Sequence, residues 1–210
     1  AYPPRLNRPV PRIQGIVADS QAKFALTTSA IFHNIEQRFE QSPELKALSW
    51  LNTEQVSPES EAEWRDPHIT ADTLAFLQYT SGSTSQPKGV MLTHGNLMHN
   101  LKAIQYGFQI DGNDSGAFWL PSYHDMGLIG GILEPIYIGL PSTLMSPVSF
   151  LQRPHRWLEA ISKYKVTTSG APNFAYDLCV DKITPEQLET LDLSAWKLAF
   201  CGAEPIRPET

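Results

Sequence analysis

Strand-like and helix-like patterns alternate along the chain from end to end, and that alternation limits its fold more than any other feature. Residues 24–28 (FALTT), 47–51, 74–79 (LAFLQY), 89–92 (GVML), 117–120, 143–145, 166–169 and 197–201 are short runs of strand length. Between them apolar residues recur at helical spacing. Ile13, Ile16 and Val17 do so within 12–21, and Ile31, Ile35 and Phe39 follow Ser29, a candidate cap. Leu97, Leu101, Ile104 and Phe108 follow Thr93, and Trp157, Leu158 and Ile161 lie in a helix starting at Pro154. Thr184-Pro185-Glu186-Gln187 has the form of a capping box with proline at the first helical position. Such alternation specifies layered α/β architecture, sheets flanked by helices, over separate all-α and all-β parts.

Two stretches interrupt the pattern. Residues 52–73 carry Glu54, Glu59, Glu61, Glu63, Asp66 and Asp72 with Pro58 and Pro67, and no apolar period. They predict a surface connection with one helical turn after Ser57-Pro58. The run 111–116 (DGNDSG) is a dense turn cluster and the expected boundary between two α/β lobes, residues 1–110 and 111–210.

Composition removes several function classes. A chain of 210 residues with 41% hydrophobic and 18% charged content has enough apolar surface for a core and too little charge for a disordered segment. The net charge of −6 argues against a nucleic-acid partner, which is met by a basic face. The most apolar stretch, residues 127–145, is broken by Glu134, Pro135 and Pro141, so it does not make a membrane span of about 20 apolar residues. The opening AYPPRLNRPVPR lacks the apolar region of a secretory signal. Cys179 and Cys201 form neither a disulfide framework nor a zinc motif, which fits free thiols in a cytoplasmic protein. His33, His68, His94, His99 and His155 show no ligand spacing, and no metal site is expected from them.

The segment with most chemical character lies between two strands. Six of the nine residues 80–88 are Thr, Ser or Gly, and Lys88-Gly89 closes the run. Glycine lets successive backbone N–H groups approach one anion, the hydroxyls add donors, and lysine adds a point charge. The same residues also describe a turn-rich hairpin with a solvated lysine. A P-loop is excluded by spacing: counted from Gly82, Pro87 stands where the second glycine belongs, and Gly89 follows the lysine where Ser or Thr is needed.

YTSGSTSQPKGVMLTHGNL, residues 79–97, resembles the phosphate-binding signature of the adenylate-forming superfamily of acyl-CoA synthetases, nonribosomal adenylation domains and luciferases. Ser85 stands where that signature usually has glycine. Residues 118–158, beginning FWLPSYHDMGLIGG, and residues 169–180, SGAPNFAYDLCV, look like the fatty acyl-AMP ligase branch. The resemblance runs from YPPRLNR to FCGAEPIRPE and implies part of the large N-terminal domain of such an enzyme, in two incomplete lobes.

The implied reaction joins a fatty acid to ATP, releasing pyrophosphate and leaving an acyl adenylate whose acyl group passes to an acyl-carrier protein. A carboxylate is already nucleophilic at neutral pH, so the protein's task is positioning and charge neutralisation. By the resemblance, Thr80, Ser81, Gly82, Ser83, Thr84, Lys88 and Gly89 would hold the phosphates. Lys88 and His124 are the catalytic candidates. His124, Asp125, Met126, Gly127 and Asn173 would flank the acyl pocket, and Gly202, Ala203, Glu204 and Pro205 would form the adenine loop. Each has a plainer alternative: a helix cap at Asp125, close packing at Gly127, a strand-ending turn at 202–205 with a solvated Glu204. The cofactors implied are ATP and Mg²⁺, with the main Mg²⁺ ligand expected outside these 210 residues. An acyl-CoA or amino-acid ligase and a non-catalytic nucleotide- or acyl-binding piece remain alternatives. The family's chains are much longer, so the 210 residues alone are expected to be inactive and prone to self-association.

Overall fold

In a computed structural model, residues 11–37, 39–80 and 87–209 are described, and they form two compact units, Ala1–Leu97 and Met98–Thr210.

In the first unit, α1 (Pro11–Ser20), α2 (Ser29–Glu36) and α3 (Pro43–Lys46) accompany a parallel pair, β1 (Phe24–Thr27) and β2 (Ser49–Asn52). The pair runs in register from Phe24 opposite Ser49 to Thr27 opposite Asn52. Its core is Ile35, Leu45 and Leu48, with Ile13, Val17, Phe39 and Trp50 packed against them. Trp50 buries its ring among Phe32 and Phe39 and donates its indole N–H to the Leu45 carbonyl at 2.8 Å. Ser29 does not cap α2. It is the first helical residue, its N–H donating to a Glu54 carboxylate oxygen at 3.0 Å, while Thr28 occupies the cap position without a side-chain bond. A carboxylate from residues 52–73 thus does the work expected of a hydroxyl. That connection is otherwise exposed, with 3₁₀ turns at Thr53–Gln55 and Pro58–Glu63. β3 (Leu74–Thr80) and β4 (Lys88–Thr93) then pair antiparallel.

Contacts divide the chain within α4 (His94–Phe108), not at the expected turn cluster 111–116. The reason is apolar: Leu101 and Ile110 are buried, and Phe108 packs on Phe200 with ring centroids 5.2 Å apart, so residues 98–110 belong to the second core.

The second unit is a parallel four-stranded sheet in the order β6-β5-β7-β8, with β5 Gly116–Phe118, β6 Ser142–Leu144, β7 Thr168–Ala171 and β8 Leu198–Cys201. After β5 the chain runs through a π-helical segment, Met126–Leu133, into α5 (Glu134–Ile138). α6 (Pro147–Gln152) and α7 (His155–Lys163) follow β6, and α8 (Asn173–Lys182) and α9 (Pro185–Leu188) follow β7. The Thr184–Gln187 capping box forms as the sequence indicates. Successive residues of a strand point to opposite faces. Ala117 and Trp119 therefore enter one layer with Trp157, Ile161, Ala175 and Cys179, whereas Phe118 faces Gly131 of the π-helical segment.

Trp119 stacks on Phe150 at 3.9 Å, and Trp157 meets Trp119, Tyr176 and Trp196 edge-on. Ser169 supplies the polar centre of this layer: fully buried, it accepts the Trp157 indole N–H at 2.9 Å and donates to the Ala117 carbonyl. Ser169→Ala leaves two buried groups unpaired and is expected to destabilise the chain by about 1–3 kcal/mol, read as a lowered urea midpoint with unchanged slope.

Candidate functional site

In the first unit the β3–β4 hairpin fixes both ends of the hydroxyl-rich loop. Thr80 pairs with Lys88, and Tyr79 with Gly89. Lys88 is exposed and has no ion-pair partner among the described residues. Ser81, Gly82, Ser83 and Thr84, named above as phosphate-binding candidates, lie outside the described residues. Gly89 has a packing reason of its own: a Cβ there would stand 2.9 Å from the Tyr79 ring. The ring lies over the glycine and its hydroxyl donates to Asp19 at 2.6 Å, tying the hairpin to α1.

In the second unit the strand order reverses at β5, with β6 on one side and β7 on the other. Open α/β sheets bind ligands at the carboxyl ends of strands flanking such a switch point. The residues leaving β5 lead to His124-Asp125-Met126, and those leaving β7 lead to Pro172-Asn173. Asp125 caps the π-helical segment, Oδ1 accepting the Met126 N–H at 2.6 Å, and His124 Nδ1 is 2.8 Å from the same oxygen. The Met126 N–H also lies 3.3 Å from His124 Nδ1, so the Nδ1 edge of the half-exposed ring is held between the helix start and Asp125. The helix cap foreseen for Asp125 and an outward-facing imidazole coexist.

The loop after β8 is clamped from α8. Glu204 Oε1 accepts the Phe174 N–H at 2.7 Å at the helix N-terminus, where a carboxylate is favoured, so Glu204 is not merely a solvated charge. Buried Asn173 accepts the Arg207 N–H at 2.9 Å. Ala203 takes a left-handed φ of 68°, unusual for a residue with a side chain; both clamps follow it in the chain, and before it the Gly202 N–H donates to the Ala171 carbonyl at 3.4 Å.

Between the π-helical segment, the end of α4 and the sheet lies an apolar cavity of about 500 Å³. Phe108, Phe118, Ile129 and Phe200 form walls, and Asp125, Met126, Gly202 and Ala203 lie at the carboxyl edge of the sheet. Of the five residues expected at an acyl pocket, Asp125 and Met126 line this cavity, while His124, Gly127 and Asn173 do not. Asn173 is spent on the loop clamp. Gly127 is a packing glycine, since a Cβ would sit 2.1 Å from the Pro121 carbonyl oxygen; Gly130 faces the cavity and a Cβ there meets nothing within 4 Å. Gly202 and Ala203 of the expected adenine loop line it as well.

In the sequence Glu134 is only a charged break in an apolar run. It is 2% exposed, it lines the cavity, and neither carboxylate oxygen has a hydrogen-bond partner among the described residues. Burial pushes its carboxyl up from 4.5 to about 7. The signal was present as the lone charge in the apolar run 126–138. By contrast, burial raises the Cys179 thiol to about 11, which makes it inert packing.

The raised carboxyl has a pH consequence. Between 4.5 and about 7 the folded chain holds a proton that the unfolded chain has released. The associated stability is therefore present in full below 4.5 and is lost as pH rises through 7, a change on the order of 3 kcal/mol. Urea midpoints of the native chain are expected to fall between about pH 5 and about pH 8, relative to a flatter Glu134→Gln profile; parallel profiles would contradict this.

Residues 3–210 match the family model described as AMP-binding enzyme. The chain is 45% identical over 209 residues to the medium-chain-fatty-acid–[acyl-carrier-protein] ligase JamA of Moorena producens, covering 99% of this chain and 35% of that protein. It is 50% identical over 145 residues to the corresponding ligase TtuA of Teredinibacter turnerae, covering 69% of this chain and 23% of that one. Among solved structures, the fatty acyl-adenylate ligase of L. pneumophila, in complex with acyl adenylate and pyrophosphate, superposes with a TM-score of 0.87 at 44% identity, covering 94% of this chain and 34% of that one. The chain thus spans about a third of the length of its curated relatives. The switch-point geometry and the sheet order accord with the N-terminal domain of adenylate-forming enzymes, and the chain belongs to the AMP-binding enzyme family.

Proposed function

We propose that this chain furnishes the phosphate loop, acyl cavity and adenine loop of a cytoplasmic ligase that converts a fatty acid and ATP into acyl adenylate and pyrophosphate, then delivers the acyl group to an acyl-carrier protein. The observation that carries this reading is the cavity: about 500 Å³, walled by apolar side chains, with Gly202 and Ala203 at the edge where the sheet ends. An acyl chain gains about 0.8 kcal/mol per methylene buried in such surroundings. The names of the relatives, fatty-acid ligases acting on acyl-carrier protein, support the same substrate and acceptor.

Within that reading, the substrate carboxylate needs no base. Lys88 and the hydroxyl and backbone donors at residues 80–84 would meet phosphate oxygens and stabilise the pyrophosphate as it leaves. His124, its Nδ1 held by Asp125, would face the reacting carboxylate with Nε2. The backbone of 202–205, held by Asn173 and Phe174, would lie along the base. Mg²⁺ bound to the phosphates would neutralise part of their charge. Among the described residues no cluster of three or more His, Cys, Asp or Glu could hold it, and the steps assigned here rest on the chain's own donors.

In the intact protein, fatty-acid-dependent exchange of pyrophosphate into ATP is the direct test. Lys88→Ala is expected to lower kcat/KM for exchange by about 10²–10³-fold, the loss typical of removing one preorganised charge-stabilising donor. Exchange that ignores fatty acid, or is unchanged by Lys88→Ala, contradicts the assignment. Offering carrier protein and coenzyme A side by side as acceptors decides between a carrier-protein ligase and a CoA ligase.

A further inference from the structure

The cavity is walled by apolar side chains, and Glu134 stands in that wall with both carboxylate oxygens covered and unpaired, a combination that plain packing does not favour. Burying an unpartnered carboxyl is expensive, and a glutamine, leucine or methionine fills comparable space without that penalty. Glu134 is also not a rim residue. It lies eight positions beyond Met126, past the far end of the π-helical segment Met126–Leu133.

The two ends of the cavity can be told apart from contacts. Met126 is at the carboxyl edge of the sheet, its Cε 3.6 Å from where a Cβ on Gly202 would stand. Glu134 precedes Pro135, whose carbonyl accepts the Leu140 N–H, and Leu140 packs beside Gly116, the first residue of β5. Glu134 therefore belongs to the amino-edge end, remote from the loop at 202–205. Thr168, the first residue of β7 and opposite Gly116 in the sheet, lines the cavity at the same edge. A molecule lying along the cavity with its carboxylate at Met126 and Gly202 would bring its far end to Glu134.

We propose that the cavity selects fatty acids bearing a hydroxyl towards the far end of the chain, with Glu134 as the residue that recognises it. The inference rests on the fatty-acid reading of the cavity. A hydroxyl fits this place because it both donates and accepts: it pairs with the carboxyl whether that group carries its proton or not. A plain methyl terminus leaves both Glu134 oxygens unpaired, and an unpaired buried polar group is penalised more than the matching bond is rewarded. Specificity of this kind follows from the protein's own unsatisfied group, as in sites that reject analogues lacking one hydroxyl.

Direct binding tests this without requiring turnover. Calorimetric titration of the intact protein with 10-hydroxydecanoic acid and with decanoic acid gives one affinity ratio; the same pair with Glu134→Leu gives another. The native protein is expected to bind the hydroxylated acid about tenfold more tightly than decanoic acid. In Glu134→Leu the preference is expected to vanish or reverse, and in Glu134→Gln, which retains a donor and an acceptor, it is expected to persist in reduced form. Circular dichroism melts of both variants establish that they fold. Equal or weaker binding of the hydroxylated acid by the native protein, or a ratio unchanged in Glu134→Leu, overturns the proposal, as does binding of neither acid. Fatty-acid-dependent pyrophosphate exchange in the same preparations separates the readings. Exchange with decanoic acid but no hydroxyl preference sinks only the role of Glu134, whereas a hydroxyl preference without any exchange sinks the ligase assignment and leaves Glu134 in place.

Discussion

β5 is buried on both faces, and the rest of the second unit is arranged around that fact. A strand of three residues has little hydrogen-bonding capacity of its own, so its position depends on what its side chains and carbonyls meet. On one side Ala117 and the following Trp119 enter a layer of aromatic rings closed by Ser169, which joins the Trp157 indole to the Ala117 carbonyl. On the other, Phe118 meets the glycine face of the π-helical segment and closes the cavity wall. The period of two that defines a strand thus separates a rigid layer from a receptive one across a single backbone. The residues that leave β5 reach the switch point with little freedom, which is why Asp125 and His124 are found at a defined place.

The loops around the switch point are held by local, inexpensive devices. Asp125 caps the segment it begins, and Glu204 caps α8 from a distant loop. Ala203, in its left-handed conformation, stands between the Gly202 N–H bound to Ala171 and the tied residues Glu204 and Arg207. In the first unit the Tyr79 ring over Gly89, with its bond to Asp19, performs the same service for the hairpin. None of these contacts is large. Together they preset backbone geometry before any ligand arrives, which is the condition under which hydrogen-bond donors favour a developing charge over a resting one.

Much of this was legible in the sequence. Periods of two and of three to four residues located the strands and principal helices, because those periods are imposed by the backbone itself. The capping box at Thr184–Gln187 was readable because all its partners are local. What failed depended on long-range contacts. Ser29 lost its capping role to Glu54, twenty-five residues away, and the turn cluster at 111–116 lost the unit boundary to α4, whose Phe108 has its partner at Phe200. Asn173, which the resemblance puts beside the acyl pocket, also braces the neighbouring loop, a role visible only once Arg207 is placed beside it. Glu134 was counted as an interruption of an apolar run. Its meaning needed the third dimension, in which the apolar neighbours become a cavity wall and the carboxyl is closed in among them without a partner.

The three glycines of the π-helical segment have divergent histories available to them. Gly127 has a carbonyl where a side chain would go, and Gly131 has the Phe118 ring, so both are fixed by their neighbours. Gly130 is bounded by empty cavity. A wider helical coil with one unencumbered glycine between two constrained ones lets a lineage of such proteins remodel the reach of its cavity, one side chain at a time, while the framework that carries the chemistry is inherited unaltered.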